Sequence, residues 1–243
     1  MKRIGLIGGT GALALTADLS ESGAVMSTPY GDTSSPLLHW KTGAADICFI
    51  ARHGLDSAIP PHRVNYRANV WAMHEQQVDY LVGINAVGGI ASWADPARLV
   101  CPAQLIDYTW GRAHTFADGE SGPLQHVEFT APFAAAARDR LLKVAAQLDL
   151  DCHAGGVYGV TQGPRLETAA EIDRMERDGC DIVGMTAMPE AGLSRELGIA
   201  YAVCAVVVNW AAGRGSDGQG IHDEIRASIE LGMAQVERLV SAL

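Results

Sequence analysis

Polar residues that could bind an anion stand beside glycines in two segments of the chain. Residues 8–11 are three glycines and Thr10, so the backbone can approach a ligand closely while its N–H groups and the Thr10 hydroxyl donate hydrogen bonds. Arg52 and His53 come directly before another glycine. Arginine can hold a phosphate through two parallel N–H bonds, and a neighbouring histidine can add a donor. The two segments predict a site for a small anion such as phosphate.

The first glycine segment also fits a different ligand. Gly9, Gly11 and Ala14 match the G-x-G-x-x-[GA] fingerprint of dinucleotide-binding proteins. That fingerprint needs an acidic residue at the end of the second strand, and the candidate, Asp32, lies beside residues 28–31, which are typical of a turn. An NAD-dependent oxidoreductase is therefore an alternative function of another class. The glycine segment could also be a purely structural turn.

Polar or thioether side chains also end three other apolar runs. Asn85 and Ala86 stand shortly before a pair of glycines. Met185 and Thr186 end a second run, and Asn209 ends a third that is rich in valine. A carboxamide is costly to bury without hydrogen-bond partners, so Asn209 is a candidate for recognising the edge of a base. Met185 taken alone is more typical of a hydrophobic core.

Residues 162–168 form a polar segment that leads into a predicted helix. Glu167 could bind a ligand there, or it could cap the helix near the positive end of its dipole. The eight histidines show no H-E-x-x-H or other metal-ligand spacing, and no G-x-S-x-G motif occurs. Neither a metal centre nor acyl-enzyme chemistry is therefore expected.

These residues need a scaffold that brings the ends of strands together. Short apolar runs alternate with helical patterns, which predicts an α/β fold with a mainly parallel sheet. Ligands of such sheets collect at the carboxyl ends of the strands. The predicted strands are residues 3–7, 47–51, 80–85, 99–107 (an edge or bent strand, broken by Pro102), 156–161, 181–185 and 201–209. The predicted helices are residues 65–77, 132–148, 167–178, 190–197 and 221–242.

The overall composition predicts one globular domain over residues 1–243. Hydrophobic residues make up 48% of the chain and charged residues 19%, which is enough apolar material for one core. The net charge of −10 argues against nucleic acid or a membrane as partner, because both favour a basic surface. Five cysteines without a C-x-x-C pair, and an N-terminus unlike a signal peptide, indicate a reducing, cytoplasmic location.

Taken in order, the motifs resemble those of the methylthioadenosine phosphorylase branch of the trimeric purine nucleoside phosphorylase family. The resemblance runs nearly end to end and rests on residues 8–11, 51–54, 64–69, 85–88, 162–165 and 183–186. It implies a single-domain phosphorylase fold with a mixed, mainly parallel central sheet flanked by helices, and a homotrimer. It also implies a reaction without organic cofactor or metal, in which phosphate attacks the anomeric carbon while the purine leaves through an oxocarbenium-like transition state.

The resemblance assigns roles to individual residues. Asn209 and His53 would take part in catalysis, and Met185 would lie under the ribose. A segment from Arg112 to His126, anchored by aromatic residues such as Trp110 and Phe116, would cover the site of the next subunit. Phosphate would be held by Thr10, Arg52, His53, Asn85, Ala86 and Thr186. The nucleoside would meet Leu166, Glu167, Met185, Asn209, Trp210, Ala211, His126 and His222.

Two positions depart from the adenosine-type members of the family. Asn209 stands where those members have aspartate, and Glu167 stands where they have serine. Asn209 can donate to an O6 atom, and the Glu167 carboxylate can accept from N1–H, which hypoxanthine has and adenine lacks. The two positions predict a 6-oxopurine, which matches the methylthioinosine phosphorylase variant and also inosine and guanosine phosphorylases.

The group at the 5′ position of the ribose is less well defined. His126 falls where the methylthio branch has a histidine, His222 falls where inosine-type enzymes have one, and Ser57 replaces a histidine of the methylthio branch. Overall similarity favours phosphorolysis of S-methyl-5′-thioinosine to hypoxanthine and S-methyl-5-thioribose 1-phosphate. An inosine or guanosine phosphorylase and a 5′-methylthioadenosine phosphorylase are the alternatives within the class. A nucleoside-binding protein without activity is a further alternative outside it.

Overall fold

The computed structural model describes residues 1–17, 23–117, 119, 124, 126–215 and 221–243, with side chains from residue 225 onward in the last range. Strands and helices alternate through most of this described part. Its strands are β1 (Lys2–Gly8), β2 (Val25–Thr28), β3 (Gly31–Pro36), β4 (Leu38–Lys41), β5 (Ala45–Ala51), β6 (Tyr80–Gly89), β7 (Leu99–Cys101), β8 (Gln104–Asp107), β9 (Cys152–Ala154), β10 (Val157–Val160), β11 (Ile182–Gly184) and β12 (Tyr201–Trp210). Its α-helices are α1 (Tyr66–Glu75), α2 (Ala135–Gln147), α3 (Ala169–Arg177), α4 (Ala187–Glu196) and α5 (Ile221–Ser241).

Strand β6 organises the main sheet because it has neighbours along both edges. β12 runs parallel to one edge from Leu81 to Gly89. The other edge is shared, because β1 pairs with it in parallel up to Ile84 and β11 pairs antiparallel with Gly88 and Gly89. Beyond β1 lie β5 and β4, beyond β11 lie β10 and β8, and beyond β12 lie β7 and β9. Since β1 and β11 stop short of each other, the sheet opens at residues 85–87.

The central strands are buried on both faces. Along β12, Val206 packs with the hydrophobic cluster that α2 and α5 cover, whereas Val207 packs with the cluster that α1 and α4 cover. Successive side chains of a strand point to opposite faces, so a continuous run of valines fills both layers. The sheet thus lies between two helical layers. This arrangement confirms the predicted α/β class with a mixed, mainly parallel sheet flanked by helices.

All the predicted strands occur, but the segment 99–107 forms two of them. Pro102 has no backbone N–H to donate, and the chain leaves the ladder between β7 and β8. β7 pairs with β12 and β9, whereas β8 pairs with β10. The predicted bend is therefore a complete break, and the two strands belong to different parts of the sheet.

The predicted helices are all present, with ends within three residues of the expected positions. Asn65 caps α1 by accepting from the backbone N–H of Ala68 at 3.1 Å. In α5 the apolar residues at helical spacing include Met233 and Val236, both of which are buried in the core. No helix within the described ranges has both the length and the apolar character needed to cross a membrane.

Candidate active site

The opening in the sheet lies where two strand ends face each other. β1 is parallel to β6 and β11 is antiparallel to it, so the two strands run towards the opening from opposite directions. Gly9 and Thr10 follow β1 directly, and Met185 and Thr186 follow β11. Two segments that are far apart in the sequence therefore meet beside β6, as expected for a ligand site in a sheet of this kind.

A cavity of about 590 Å³ occupies this opening. Most of the predicted site residues line it, and much of the remaining wall is apolar. The predicted residues on its wall are Thr10, Arg52, His53, Ala86, Leu166, Glu167, Met185, Thr186, Asn209 and Ala211. The apolar part of the wall includes Ala58, Ile59, Pro60, Val208, Ile225 and Ile229.

Arg52 is fully buried, and partners within the protein use most of its guanidinium. Nε and Nη2 donate to the two carboxylate oxygens of Glu190 at 2.5 and 3.0 Å. Nη1 donates to the carbonyl of Ile84 and Nη2 to that of Ile7. Burial alone would lower the pKa of Arg52, but the adjacent Glu190 carboxylate outweighs burial and raises it.

One N–H of Arg52 is left for a ligand. Nη1 carries two hydrogens, and within the described residues it has a single acceptor, the Ile84 carbonyl. Nη1 lies so close to Gly9 that a Cβ atom on this glycine would come within 2.6 Å of it. Glycine is therefore required there, and the arrangement brings a charged donor next to the turn that carries Thr10.

Asn85 connects Arg52 to Thr186 behind the cavity wall. Its Oδ1 accepts from Arg52 Nη2 at 3.1 Å, and its Nδ2 donates to Thr186 Oγ1 at 3.0 Å and to Tyr158 Oη at 3.3 Å. The side chain is only 1% exposed and is not among the residues that line the cavity. Asn85 therefore fixes the spacing of two predicted phosphate ligands, and its own contact with phosphate stays a prediction.

His53 is held in one orientation by a backbone carbonyl. Its Nδ1 lies 2.7 Å from the carbonyl oxygen of Ile59, and because a carbonyl only accepts, Nδ1 must carry the proton. Burial, reinforced by the positive charge of Arg52, lowers the pKa of His53. The neutral ring then offers Nε2 as an acceptor, suited to a P–OH group rather than to a fully ionised phosphate oxygen.

Asn209 reaches the cavity from a bulge in β12. The pairing of β12 with β6 shifts between Val207 and Asn209, so Val208 is an extra residue in the strand. Asn209 is buried, and its Nδ2 donates to the carbonyl of Trp210 at 2.6 Å. A carboxamide has two N–H groups and one carbonyl, so one donor and Oδ1 remain available to a ligand.

Glu167 is oriented by a neighbouring hydroxyl and does not cap the helix that follows it. Thr161 Oγ1 donates to Glu167 Oε1 at 2.7 Å, which leaves Oε2 free to accept from a ligand. The cap of α3 is a reciprocal pair in which Thr168 accepts from the backbone of Glu171 and Glu171 accepts from the backbone of Thr168. The helix-capping interpretation of Glu167 is therefore wrong.

Three predicted substrate residues are not part of the cavity wall as described. Trp210 is partly buried but does not line the cavity, and His126 is exposed outside it. The side chain of His222 lies outside the described residues. The roles of these three residues stay predictions.

The dinucleotide alternative does not fit the arrangement around β1. The glycine turn leads into a 3-10 helix over Ala12–Thr16, whereas a dinucleotide fingerprint opens an α-helix. Asp32 lies in β3, which among the described strands pairs with β2 alone, in a separate two-stranded sheet. Asp32 therefore does not end the strand beside β1 in the main sheet, which is where the dinucleotide fingerprint needs its acidic residue.

Sequence reasoning missed the acidic partner of Arg52. Glu190 lies in α4 after Pro189 and is fully buried. Tyr201 Oη donates to Glu190 Oε2 at 2.9 Å, and burial raises the pKa of Tyr201 well above its ordinary value. A carboxylate among the apolar residues of a helix is a usable signal, because a buried carboxylate needs a cation or several donors.

Comparison with known proteins agrees with this geometry. The family model described as Phosphorylase superfamily matches residues 3–243. The chain therefore belongs to the phosphorylase superfamily, which confirms the resemblance seen in its motifs.

Two relatives and one solved structure show which members of the superfamily the chain resembles. The chain is 44% identical over 238 residues to a probable S-methyl-5′-thioinosine phosphorylase of Xylella fastidiosa, covering 98% of this chain and 96% of the relative. It is 40% identical over 248 residues to a 6-oxopurine nucleoside phosphorylase of Pyrococcus furiosus, covering 100% and 91%. The structure of methylthioadenosine phosphorylase from Schistosoma mansoni in complex with adenine superposes with a TM-score of 0.90 at 27% identity, covering 100% of this chain and 90% of that one.

Proposed function

We propose that the protein is a purine nucleoside phosphorylase that cleaves S-methyl-5′-thioinosine with phosphate, giving hypoxanthine and S-methyl-5-thioribose 1-phosphate. The observation that carries the proposal is one cavity whose wall combines anion donors, a carboxamide and a carboxylate with an apolar region. The chain is 44% identical to the probable S-methyl-5′-thioinosine phosphorylase and 40% identical to the 6-oxopurine nucleoside phosphorylase described above. Both similarities support this substrate class. The reaction uses phosphate as co-substrate and needs no organic cofactor or metal.

Phosphate binds between the turn after β1 and the turn after β11. Thr10 and the free N–H of Arg52 Nη1 donate from one side, and Thr186 donates from the other, at a spacing that Asn85 fixes. Neutral His53 accepts the P–OH hydrogen through Nε2, so an ionised oxygen is left to attack. That oxygen forms a bond to the anomeric carbon while the C–N9 bond breaks and its electron pair passes to the purine. Catalysis is then positioning of the anion together with stabilisation of the leaving base.

The base is a 6-oxopurine. Asn209 donates its remaining N–H to O6, and Glu167 Oε2 accepts from N1–H. As the base leaves, its N7 takes up a proton from solvent water, and Asn209 Oδ1 accepts the resulting N7–H hydrogen bond. With a 6-aminopurine, two NH₂ groups would face each other and the carboxylate would face a lone pair. Each mismatch leaves a buried group unpaired, at about 1–3 kcal/mol.

The 5′ substituent is a methylthio group. The cavity wall carries Ala58, Ile59, Pro60 and two isoleucines of α5, all of which favour an apolar group over a hydroxyl. Ser57 on the same wall is small enough to leave room for sulfur and a methyl group. Inosine and guanosine remain the second candidate substrates, because the base contacts are the same.

The proposal extends to assembly and location. Three copies form a homotrimer, as in the family that the motifs resemble, with the segment 112–126 directed towards the neighbouring site. Arg112 and Phe116, at the start of this segment, are buried within their own subunit. Residues 118, 120–123 and 125 of the segment lie outside the described residues. All five cysteines are free thiols, which supports a reducing, cytoplasmic environment.

The test is a comparison of kcat/KM for methylthioinosine, methylthioadenosine and inosine, each with and without phosphate. We expect phosphate-dependent release of base, with methylthioinosine preferred over methylthioadenosine by roughly 30-fold or more, as two unpaired groups imply. Asn209→Asp should narrow that preference, because a protonated aspartate can donate to N7 while its other oxygen accepts from a 6-amino group. Equal rates with both methylthio nucleosides would overturn the base assignment, and base release without phosphate would overturn phosphorolysis.

A further inference from the structure

Arg112 is a buried arginine that the proposed reaction does not use directly. Arg112 is only 8% exposed, and every nitrogen of its guanidinium donates a hydrogen bond. The acceptors lie on three separate segments of the chain. They are the side-chain oxygens of Gln162 (3.1 Å) and Tyr66 (3.3 Å) and the backbone carbonyls of Thr161 (3.1 Å), Gln162 (2.9 Å), Met185 (2.7 Å) and Met188 (2.6 Å).

The charge of Arg112 is balanced differently from that of Arg52. Arg52 forms an ion pair with Glu190, whereas in the described part of the chain no carboxylate lies within 4.0 Å of the Arg112 guanidinium. Its charge is stabilised by carbonyl dipoles and by the face of Tyr66, whose ring centroid is 5.4 Å away. Such a site depends on the planar fork of arginine, which a lysine ammonium cannot reproduce.

The carbonyl partners of Arg112 carry both walls of the cavity. Met185 and Met188 bracket the turn from β11 into α4, which includes Thr186 on the phosphate side. Thr161 and Gln162 begin the loop that leads to Glu167 on the base side. Nη1 holds the first pair of carbonyls and Nη2 the second, so one rigid group sets the separation of the two walls.

We propose that Arg112 is a positioning residue that fixes the base-binding wall relative to the phosphate-binding wall. The inference rests on the proposed function, because it takes Glu167 and Thr186 to contact the two reactants. Phosphorolysis needs both reactants in one geometry, and a misplacement of about 1 Å can lower a rate ~100-fold. Loss of the clamp should therefore weaken binding of both reactants and also slow the step between them.

The test compares Arg112→Lys with Arg138→Lys. Arg138 is a matched control, because it is also partly buried and also donates to backbone carbonyls, those of Pro102 and Cys101, at a distance from the cavity wall. For Arg112→Lys we expect kcat/KM to fall about 10- to 100-fold, with KM raised for nucleoside and phosphate alike and kcat lowered. For Arg138→Lys we expect unchanged kinetic constants even where the melting temperature falls.

Amide hydrogen exchange gives a readout that does not depend on activity. Exchange should become faster at residues 161–168 and 185–188 in Arg112→Lys and stay unchanged there in Arg138→Lys. If Arg112→Lys does not fold, Gln162→Leu removes one acceptor of the same fork. It should raise KM for nucleoside and phosphate alike, by less than Arg112→Lys, with a smaller change in exchange.

Kinetic constants of Arg112→Lys or Gln162→Leu that match those of the Arg138→Lys control would overturn the proposal. A rise in KM for only one reactant would overturn it as well, because a clamp between walls must affect both. A wild-type protein without phosphorolytic activity would instead overturn the proposed function, and the exchange experiment would still decide whether Arg112 orders the two walls.

Discussion

Arg52 depends on the carboxylate of Glu190 more than on any other partner. Both side chains are completely buried and lie 2.5 Å apart, and Tyr201 adds a third member to the network. A buried ion pair adds little net stability, but removing one partner leaves an uncompensated charge in a medium that solvates it poorly. Glu190 is thus what allows an arginine to stay buried at the floor of the site.

Glu190→Gln should lower the free energy of unfolding by about 3–5 kcal/mol, because the guanidinium loses its counter-charge. Asp151→Asn is the matched control, since Asp151 pairs with Arg98 at 2.9 Å but is 67% exposed, and such pairs contribute about 0–1 kcal/mol. Urea unfolding at neutral pH measures both. A loss for Glu190→Gln as small as that for Asp151→Asn would show that Arg52 finds other compensation.

His53 should make the stability of the protein depend on pH. Its pKa is lowered by burial and by Arg52, so below about pH 6.5 the unfolded chain binds a proton that the folded chain resists. Stability is therefore present at higher pH and falls as the pH drops from about 7 towards the pKa of the folded state. His53→Asn keeps a donor for the Ile59 carbonyl and removes the titration.

The measurement is urea unfolding of wild type and His53→Asn at several values between about pH 5 and 8. We expect the wild type to lose more stability than the variant over this range. If the free energies of unfolding of the two proteins change in parallel with pH, the pKa of His53 is not lowered. If the wild type instead gains stability at low pH relative to the variant, the pKa of His53 is raised.

At the scale of elements, the apolar pattern predicts the strands that are buried on both faces. A run such as Val206 to Val208 contrasts with its surroundings, so β12 and the helix α5 that packs on it are visible in the sequence. β2 and β3 are rich in serine and threonine, and β9 is three residues long, so these strands depend on partners that a local pattern does not contain.

The candidate site, like the strands, is predictable from the sequence only where its residues carry a local signal. Residues at strand ends beside glycines, such as Arg52 and Thr186, carry a local signal. Glu190 and Arg112 act through residues that lie far away in the sequence, and no spacing rule connects them to Arg52 or Met185. The sheet opening is likewise a result of pairing, because it requires β1 and β11 to share one edge of β6.

Close packing around β6 gives a prediction at this scale. A Cβ atom on Gly83 would lie 2.4 Å from Tyr201 Oη and 3.2 Å from Glu190 Oε2, so Gly83→Ala must push the strand away from the buried network. We expect a loss of about 1–3 kcal/mol in the free energy of unfolding. Gly43→Ala is the control, because no atom of the described residues lies within 4 Å of its Cβ position, and it should change stability by about 0.5 kcal/mol or less.

Chemical unfolding of the two variants under the same conditions tests this expectation. A Gly83→Ala protein as stable as Gly43→Ala would mean that β6 and α4 can separate without cost. The network would then be looser than the distances around Glu190 indicate.

At the scale of the whole molecule, two large apolar side chains are exposed at or beside the cavity. Trp110 is 72% exposed and Leu166 51%, and the two are connected because the Trp110 N–H donates to the side chain of Gln162 in the loop that carries Leu166. Leu166 itself lines the cavity. Exposed aromatic and aliphatic groups beside a functional site are typical of a surface that another protein covers.

We therefore expect the proposed homotrimer to bury Trp110, and light scattering of the wild type to give three times the chain mass of 25.7 kDa. Trp110→Glu should shift the protein towards the monomer and lower activity, because a charge at a buried contact is costly and the neighbouring subunit would no longer cover the site. Leu231→Glu is the control, since Leu231 on α5 is 63% exposed and its replacement should leave the mass unchanged. A wild type that is an active monomer would refute the trimer, and a Trp110→Glu protein that stays trimeric would move the interface to another face of the molecule.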